Sequence, residues 1–440
     1  MKFNIAVSLL IFPFLLSSCG NNPAPVDSGE DATKVNVSMP AMMNDKALDY
    51  NLSFNYKDSY FEQSATVFSK DLMLLSFAST ITSRKVEYAQ RFFNDIGYDI
   101  FYASPDYATG TTENTIGFVF AHKEFEGFDL VAISIRGYDY NQEWANNFEV
   151  GAEGDHVGFM ASTNRVFTLL QEYLSQFSTE SIKFWVSGYS RAGGVANVLS
   201  YKLMTSKEIE VSKDNLFTYT FEAPRALTQE HAIAYENVFN IVNPTDFIAR
   251  LLPTQYGLYR CGIDKEIYSD KIDEYLSNFD KNIVLEKFQA SEGSYTTPIE
   301  FTDYILSELL KKKDSEEYNM LHDRENYLTI QNYLRYTLNL IMSIPNYTTV
   351  LSDKISKMSK MDIMLLLSDD GTNLYNFIKP ILDENNISYV DEELRSTCST
   401  LLIFVKRYIS TVMSIAMTNN GKRMIKMHMP EAIYVLIKNY

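Results

Sequence analysis

Cysteine, histidine and tryptophan are scarce in this chain, at 3, 5 and 2 of 440 residues. The cysteines are Cys19, Cys261 and Cys398, and no C-x-x-C or H-E-x-x-H spacing exists, so the sequence suggests no metal site and no cofactor. Basic residues are in deficit: 39 Lys and Arg against 56 Asp and Glu give a formal charge of −17. That balance argues against nucleic acid as a partner and against electrostatic docking on anionic lipid. Long apolar runs are missing too, apart from Phe3 to Leu16. That run is shorter than the roughly 20 apolar residues a spanning helix needs.

What the terminus does contain is a secretory pattern: Lys2, the apolar run, then Ser17-Ser18-Cys19-Gly20. Leu16-Ser17-Ser18-Cys19 resembles a bacterial lipobox, in which cleavage precedes a cysteine that is then acylated. The expectation is a signal peptide over 1–18, a lipid anchor at Cys19, and a cell-envelope location on the extracytoplasmic side of a membrane. Residues 19–45, with Asn21, Asn22, Pro23, Pro25, Asp27 and Gly29, read as a solvated tether. If Cys19 is acylated, Cys261 and Cys398 remain, enough for one bridge in an exported protein.

The other 400 or so residues suffice for one large core or a core with a second lobe. From 46 to 262 strands and helices alternate. Ile116–His122 and Leu130–Arg136 read as strands joined by a Glu126-Gly127 turn, and Phe159–Phe177 as an amphipathic helix. Leu216–Phe221 and Val238–Val242 read as core strands. Such alternation implies a mostly parallel sheet. From 263 to 420 helical spacing dominates, interrupted only by Gly293 and Gly371, so this region reads as an all-helical insertion. Pro430 to Tyr440 reads as a last helix with proline in its first turn, returning to the core with 421–440.

The stretch Phe184-Trp185-Val186-Ser187-Gly188-Tyr189-Ser190-Arg191-Ala192-Gly193-Gly194 carries the chemistry. An apolar strand turns sharply at Ser190 into a helix whose Val195, Val198, Leu199 and Leu203 fall at helical spacing. This is the pattern of a nucleophile elbow, and the small residues Gly188 and Ala192 let strand and helix backbones approach. A serine hydroxyl needs a base to remove its proton and a carboxylate to orient that base. In α/β hydrolases the chain order is Ser, Asp or Glu, then His. His122 and His156 precede Ser190, and His231 precedes the best acid, Asp246, in Ile241-Val242-Asn243-Pro244-Thr245-Asp246. His428, just ahead of the last helix, and His322, in a polar stretch, remain as bases; His428 is preferred and His322 is the alternative. For the oxyanion the donors are the backbone N–H of Arg191 and that of Tyr138, after the strand ending Ile135-Arg136-Gly137.

Together these residues resemble the class 3 lipase family of α/β hydrolases. Ile135-Arg136-Gly137-Tyr138 with Trp144 is similar to its F-R-G-[ST] segment and following tryptophan, and His156-Val157-Gly158-Phe159 to its H-x-G-F element. Phe221-Glu222-Ala223-Pro224-Arg225 is similar to its G-x-P-R segment, and Asn243–Asp246 through Pro253 to its acid loop. Tyr189 and Arg191 depart from the usual G-H-S-L-G-G, and the gap from Asp246 to His428 is longer than in compact members. The resemblance implies an α/β-hydrolase fold with a helical insertion between Asp and His, a structural His156 supporting the oxyanion loop, and an ester or lipid substrate. The expected protein is a cofactor-free serine ester hydrolase, with the insertion as lid or acyl-binding lobe. The rivals are a non-catalytic binding or adhesion protein on the same scaffold, and an acyltransferase or amidase with the same triad.

Overall fold

A computed structural model of the chain describes residues 32–44, 47–107, 115–137, 142–177, 181–314, 319–366, 368–409 and 418–440. The signal peptide, Cys19 and Tyr138 therefore lie outside the described residues. Two compact units are distinguished: one takes in the described parts of 15–140, 154–286 and 423–440, the other those of 141–153 and 287–422.

The first unit is built on a seven-stranded sheet in the order β11-β9-β7-β6-β5-β4-β3. β3 (Ile100–Ala103), β4 (Phe118–Phe125) and β5 (Phe128–Ile135) run antiparallel, whereas β5, β6 (Ile182–Tyr189), β7 (Leu216–Phe221), β9 (Val238–Val242) and β11 (Ile263–Glu266) run parallel. A short pair, β8 (Leu227–Thr228) with β10 (Leu258–Tyr259), stands apart from this sheet. Residues of β7 and β9 are buried along their whole length, which is why these strands read as near-continuous rather than alternating apolar runs.

The two faces of the sheet are sorted by alternation along β6. Phe184 and Val186 point into the cluster formed with α3 (Val157–Leu174) and α4 (Arg191–Thr205). Trp185 points the other way, where its Nε1–H donates to Ser76 Oγ of α1 (Lys70–Thr82) at 2.8 Å and its ring meets Phe61 and, on α2 (Val86–Asp95), Phe92 and Phe93. A buried polar network tethers α4 to the sheet. Asn197 Nδ2 and Thr220 Oγ1 both donate to Asn240 Oδ1, at 2.9 and 2.7 Å, and both asparagine amides donate to the Cys261 carbonyl.

Two expected boundaries are corrected. Residues 33–39 are not tether but strand β1 (Thr33–Met39), paired antiparallel with β2 (Tyr50–Tyr56). Val35, Val37 and Met39 alternate inward at 1% exposure or less, a short pattern masked by its polar neighbours. The helical region does not begin at 263: Ile263–Glu266 joins the sheet beside β9, and α5 (Ile272–Phe279) stays with the α/β unit. As an edge strand carrying Asp264, Lys265 and Glu266, β11 offers no apolar run to read. Cys261 and Cys398 are both buried free thiols, and burial pushes them up to about 12 and about 11.

The second unit is helical. It contains α6 (Pro298–Leu310), opened by a Thr297/Glu300 capping box, and α7 (Arg324–Met342), capped by Asp323. Among the described residues it also contains α8 (Tyr347–Ser356), α9 (Lys360–Leu366), α10 (Thr372–Glu384) and α11 (Asp391–Phe404), with Leu340, Ile344, Tyr375, Leu382 and Cys398 sharing one core. Unexpectedly, 142–153 belong here. Arg324 donates to the carbonyls of Val150, Gly151 and Glu153, and Tyr327 Oη to that of Phe148. The chain ends in α12 (Asn419–Lys426) and α13 (Pro430–Asn439). Among the described residues no helix is long and apolar enough to cross a membrane.

α13 also secures the N-terminal hairpin. Glu431 Oε1 accepts the N–H groups of Met42 and Met43 at 2.6 and 2.7 Å. Burial pushes this carboxyl from 4.5 up to about 7; the Asp280 charge adds to the rise and the two N–H groups oppose it. A raised acid favours the protonated folded state, so its contribution to stability is full below about pH 4.5 and is lost as pH climbs through about 7. Glu431→Gln keeps the acceptor oxygen without the charge. Melts over a pH series should show this variant gaining on the parent by about 3 kcal/mol between those limits; a constant gap would contradict the assignment.

Candidate active site

Ser190 sits between the last residue of β6 and the first of α4, with φ 57° and ψ −127°. A non-glycine residue at such φ is strained and persists only where its surroundings hold it. Here its N–H donates to the Phe221 carbonyl at 2.8 Å, and its own carbonyl accepts from Gly194 N–H at 3.1 Å. Glycine is required beside it for space. A Cβ at Gly188 would strike the Ala192 carbonyl, and one at Gly137 would strike the Tyr189 carbonyl. The second contact brings the end of β5 against the elbow, where the oxyanion loop was expected.

The candidate acid comes from the end of β9, two strands over from the elbow strand. Beyond β9, Asn243 Oδ1 accepts from Thr245 N–H and Oγ1–H at 3.0 and 2.8 Å, closing a tight turn that delivers Asp246. Asp246 is fully buried; Oδ1 accepts Ile248 N–H at 2.8 Å, and Oδ2 faces His428 Nδ1 at 2.5 Å. The base stands in the turn between α12 and α13. His428 Nε2 lies 2.8 Å from Ser190 Oγ. With a carboxylate on Nδ1, the ring holds its proton there and leaves Nε2 as acceptor for the serine hydroxyl.

Of the predicted residues, Ser190, Asp246 and His428 are thus brought into one hydrogen-bonded row. The alternative base His322 bonds instead to its neighbour Asp323 at 2.9 Å. His122 is held by Asp129, and His231 by Asp155. His156 caps α3, with Nδ1 accepting Phe159 N–H at 3.2 Å and its ring stacked on Phe159 at 4.1 Å; the oxyanion loop it was expected to support extends outside the described residues. Arg191 opens α4, which places its N–H at the positive end of the helix, directly after Ser190. Tyr138, the other expected donor, lies outside the described residues.

Three features escaped the sequence reading. Tyr189, at a position usually held by histidine in the resembling motif, donates its hydroxyl to the His428 carbonyl and so ties the base's turn to the elbow. Arg191 sends its guanidinium inward, with Nη2 3.2 Å from Ser162 Oγ and 3.5 Å from the Thr115 carbonyl. Glu222, directly after β7, is fully buried at φ 48° with Oε1 accepting Asn243 N–H at 2.9 Å. The departures at Tyr189 and Arg191 were visible in sequence, but their partners were not.

The sheet order, the elbow and the row of serine, imidazole and carboxylate are those of a serine hydrolase on the α/β-hydrolase fold. Residues 132–256 match the family model for class 3 lipases, a segment that runs from within β5 through the elbow and the acid loop. Solved structures similar to this chain include a fungal lipase in an inhibitor complex, at 20% identity over 48% of this chain and 81% of that one with a TM-score of 0.35. Rhizomucor miehei triacylglyceride lipase is similar at 16% identity, 49% and 83% coverage and a TM-score of 0.34. Lipase II from Rhizopus niveus is similar at 15% identity, 49% and 83% coverage and a TM-score of 0.34. No curated protein sequence matches the chain.

The Tyr189 bond gives a direct test of how the base is held. Tyr189→Phe should fold normally and lose about 2- to 10-fold in kcat, the usual worth of one neutral hydrogen bond, with KM little changed. Unaltered steady-state kinetics would show that the His428 turn needs no such tie.

Proposed function

We propose that the protein hydrolyses carboxylic esters of the lipid class through an acyl-enzyme, with Ser190 as nucleophile, His428 as base and Asp246 as its orienting acid. The observation that carries this reading is the row itself: Ser190 Oγ to His428 Nε2 at 2.8 Å, and His428 Nδ1 to Asp246 Oδ2 at 2.5 Å. Ser190 Oγ attacks the ester carbonyl as its proton passes to Nε2. Asp246 stabilises the imidazolium, and the oxyanion is held by the backbone N–H groups of Arg191 and Tyr138. The imidazolium then protonates the departing alcohol, and a water activated by the same base releases the acid. An acyltransferase would use the same row with an alcohol in place of water, and a binding protein would not need it.

A fluorophosphonate probe should label the wild type at Ser190 and leave Ser190→Ala unlabelled. His428→Ala should lose about 10⁴-fold or more in kcat, whereas His322→Ala should remain active. Labelling that survives in Ser190→Ala, or a fully active His428→Ala, removes the assignment. Rates across esters graded by acyl length identify the substrate class, and added alcohol acceptors separate transfer from hydrolysis.

For location we propose an envelope lipoprotein anchored through acylated Cys19, supported by the charged terminus, short apolar run and Leu16-Ser17-Ser18-Cys19 pattern. In a bacterial host, labelled fatty acid should enter the wild type and be lost in Cys19→Ser, which should leave the membrane fraction. Equal incorporation in both proteins rejects the anchor.

A further inference from the structure

Glu222 occupies a place where a side chain is a burden. Its φ of 48° is one that glycine adopts freely and L side chains rarely do. In the G-x-P-R pattern that residues 222–225 resemble, the position belongs to glycine. The backbone is held there by Glu222 N–H donating to the Ile241 carbonyl at 2.9 Å. The carboxyl group is fully buried, so it meets no solvent. Oε1 accepts Asn243 N–H at 2.9 Å, while Oε2 receives no hydrogen bond from the protein. The same carboxyl lies within hydrogen-bonding range of Asp246.

Two carboxyl groups in contact inside a protein cannot both be ionised, and they share one proton. Which of them carries it follows from their partners. Asp246 accepts from Ile248 N–H on one oxygen and faces His428 Nδ1 with the other, so both its oxygens already have donors. Glu222 has one backbone donor, and its bare Oε2 fits a hydroxyl rather than an anion. Burial and the Asp246 charge push Glu222 well above the ordinary carboxyl range, opposed only in part by Asn243 N–H and the Arg260 charge.

We propose that Glu222 is a positioning residue for the acid of the triad: its protonated carboxyl donates to Asp246 while its other oxygen grips the Asn243 turn, holding the acid loop in register with His428. This rests on the triad reading given above. Such a donor keeps a single negative charge opposite the imidazole and replaces the water that a buried Asp246 lacks. It also gives a reason for a strained glutamate where glycine would fit without cost.

The test compares Glu222→Gln, Glu222→Gly and Glu222→Asn, following kcat and KM with a short-chain ester, melting temperature, and the low-field proton resonance of the His428–Asp246 bond. Glutamine retains length and a neutral donor, and kcat should stay within about 3-fold. Glycine relieves the backbone and should melt at or above the wild type. Without the donor its kcat should fall about 10- to 100-fold at unchanged KM, with the low-field resonance shifted. Asparagine also tolerates this φ but is too short to span both partners, so it repeats the loss if the glycine variant does not fold. A folded Glu222→Gly or Glu222→Asn with wild-type kcat overturns the proposal, as does a glutamine variant as impaired as either. Fluorophosphonate labelling of the wild type separates the two readings: an unlabelled wild type removes the triad and this role together, and a labelled one leaves the variants to judge Glu222 alone.

Discussion

The strained turn at Ser190 is the constraint on which the site depends. Holding φ at 57° on a serine costs about 1–3 kcal/mol, and the strain must be offset by neighbours. They are of two kinds. The Phe221 carbonyl and Gly194 N–H fix the turn's own backbone groups. Beyond them, Val195, Val198, Leu199 and Leu203 of α4 are fully buried against the sheet, so the helix cannot swing to relax the turn. The Asn197–Asn240–Cys261 network adds direction to that packing, since hydrogen bonds select one register of α4 on β9 where apolar contacts alone would tolerate several.

The other two groups come to the serine from far along the chain. Asp246 rides on the end of β9, two strands from the elbow strand, and His428 lies 238 residues beyond Ser190. Both are therefore placed by rigid elements meeting at one edge of the sheet, where α/β sheets present ligand sites beyond their strand ends. The Tyr189 hydroxyl closes this arrangement by binding the His428 carbonyl, so the elbow holds the loop that carries the imidazole. Exclusion of water is part of the effect: with Asp246 fully buried, its oxygens meet Ile248 N–H and His428 Nδ1 and not solvent.

Elements were legible wherever burial was two-sided or the helical stripe was long. β7 and β9 have the ends read for them, 216–221 and 238–242, because every residue is buried and the runs are compact. β1 and β11 were missed for the opposite reason: short, half-exposed strands carry charged residues on their open sides and look like loops. The stretch 142–153 was also opaque, because it is held by hydrogen bonds to α7, a helix about 170–180 residues later, and not by any pattern of its own. Glu222 was hidden by chemistry: its identity was plain, but its burial and left-handed backbone were not.

The sequence by itself determined a candidate nucleophile, a candidate acid and two candidate bases, because a glycine-flanked serine between strand and helix is a local pattern and chain order leaves few partners among five histidines. It could not decide between His428 and His322. The tertiary structure decided which of the two meets the serine: packing of the last helix sets His428 2.8 Å from Ser190, while His322 bonds to Asp323. The same holds for Tyr189 and Glu222, whose significance lies in a carbonyl 239 residues away and a carboxylate on the adjoining loop. Spacing along a chain encodes local geometry; meeting of distant atoms is encoded only in the packing that folds it.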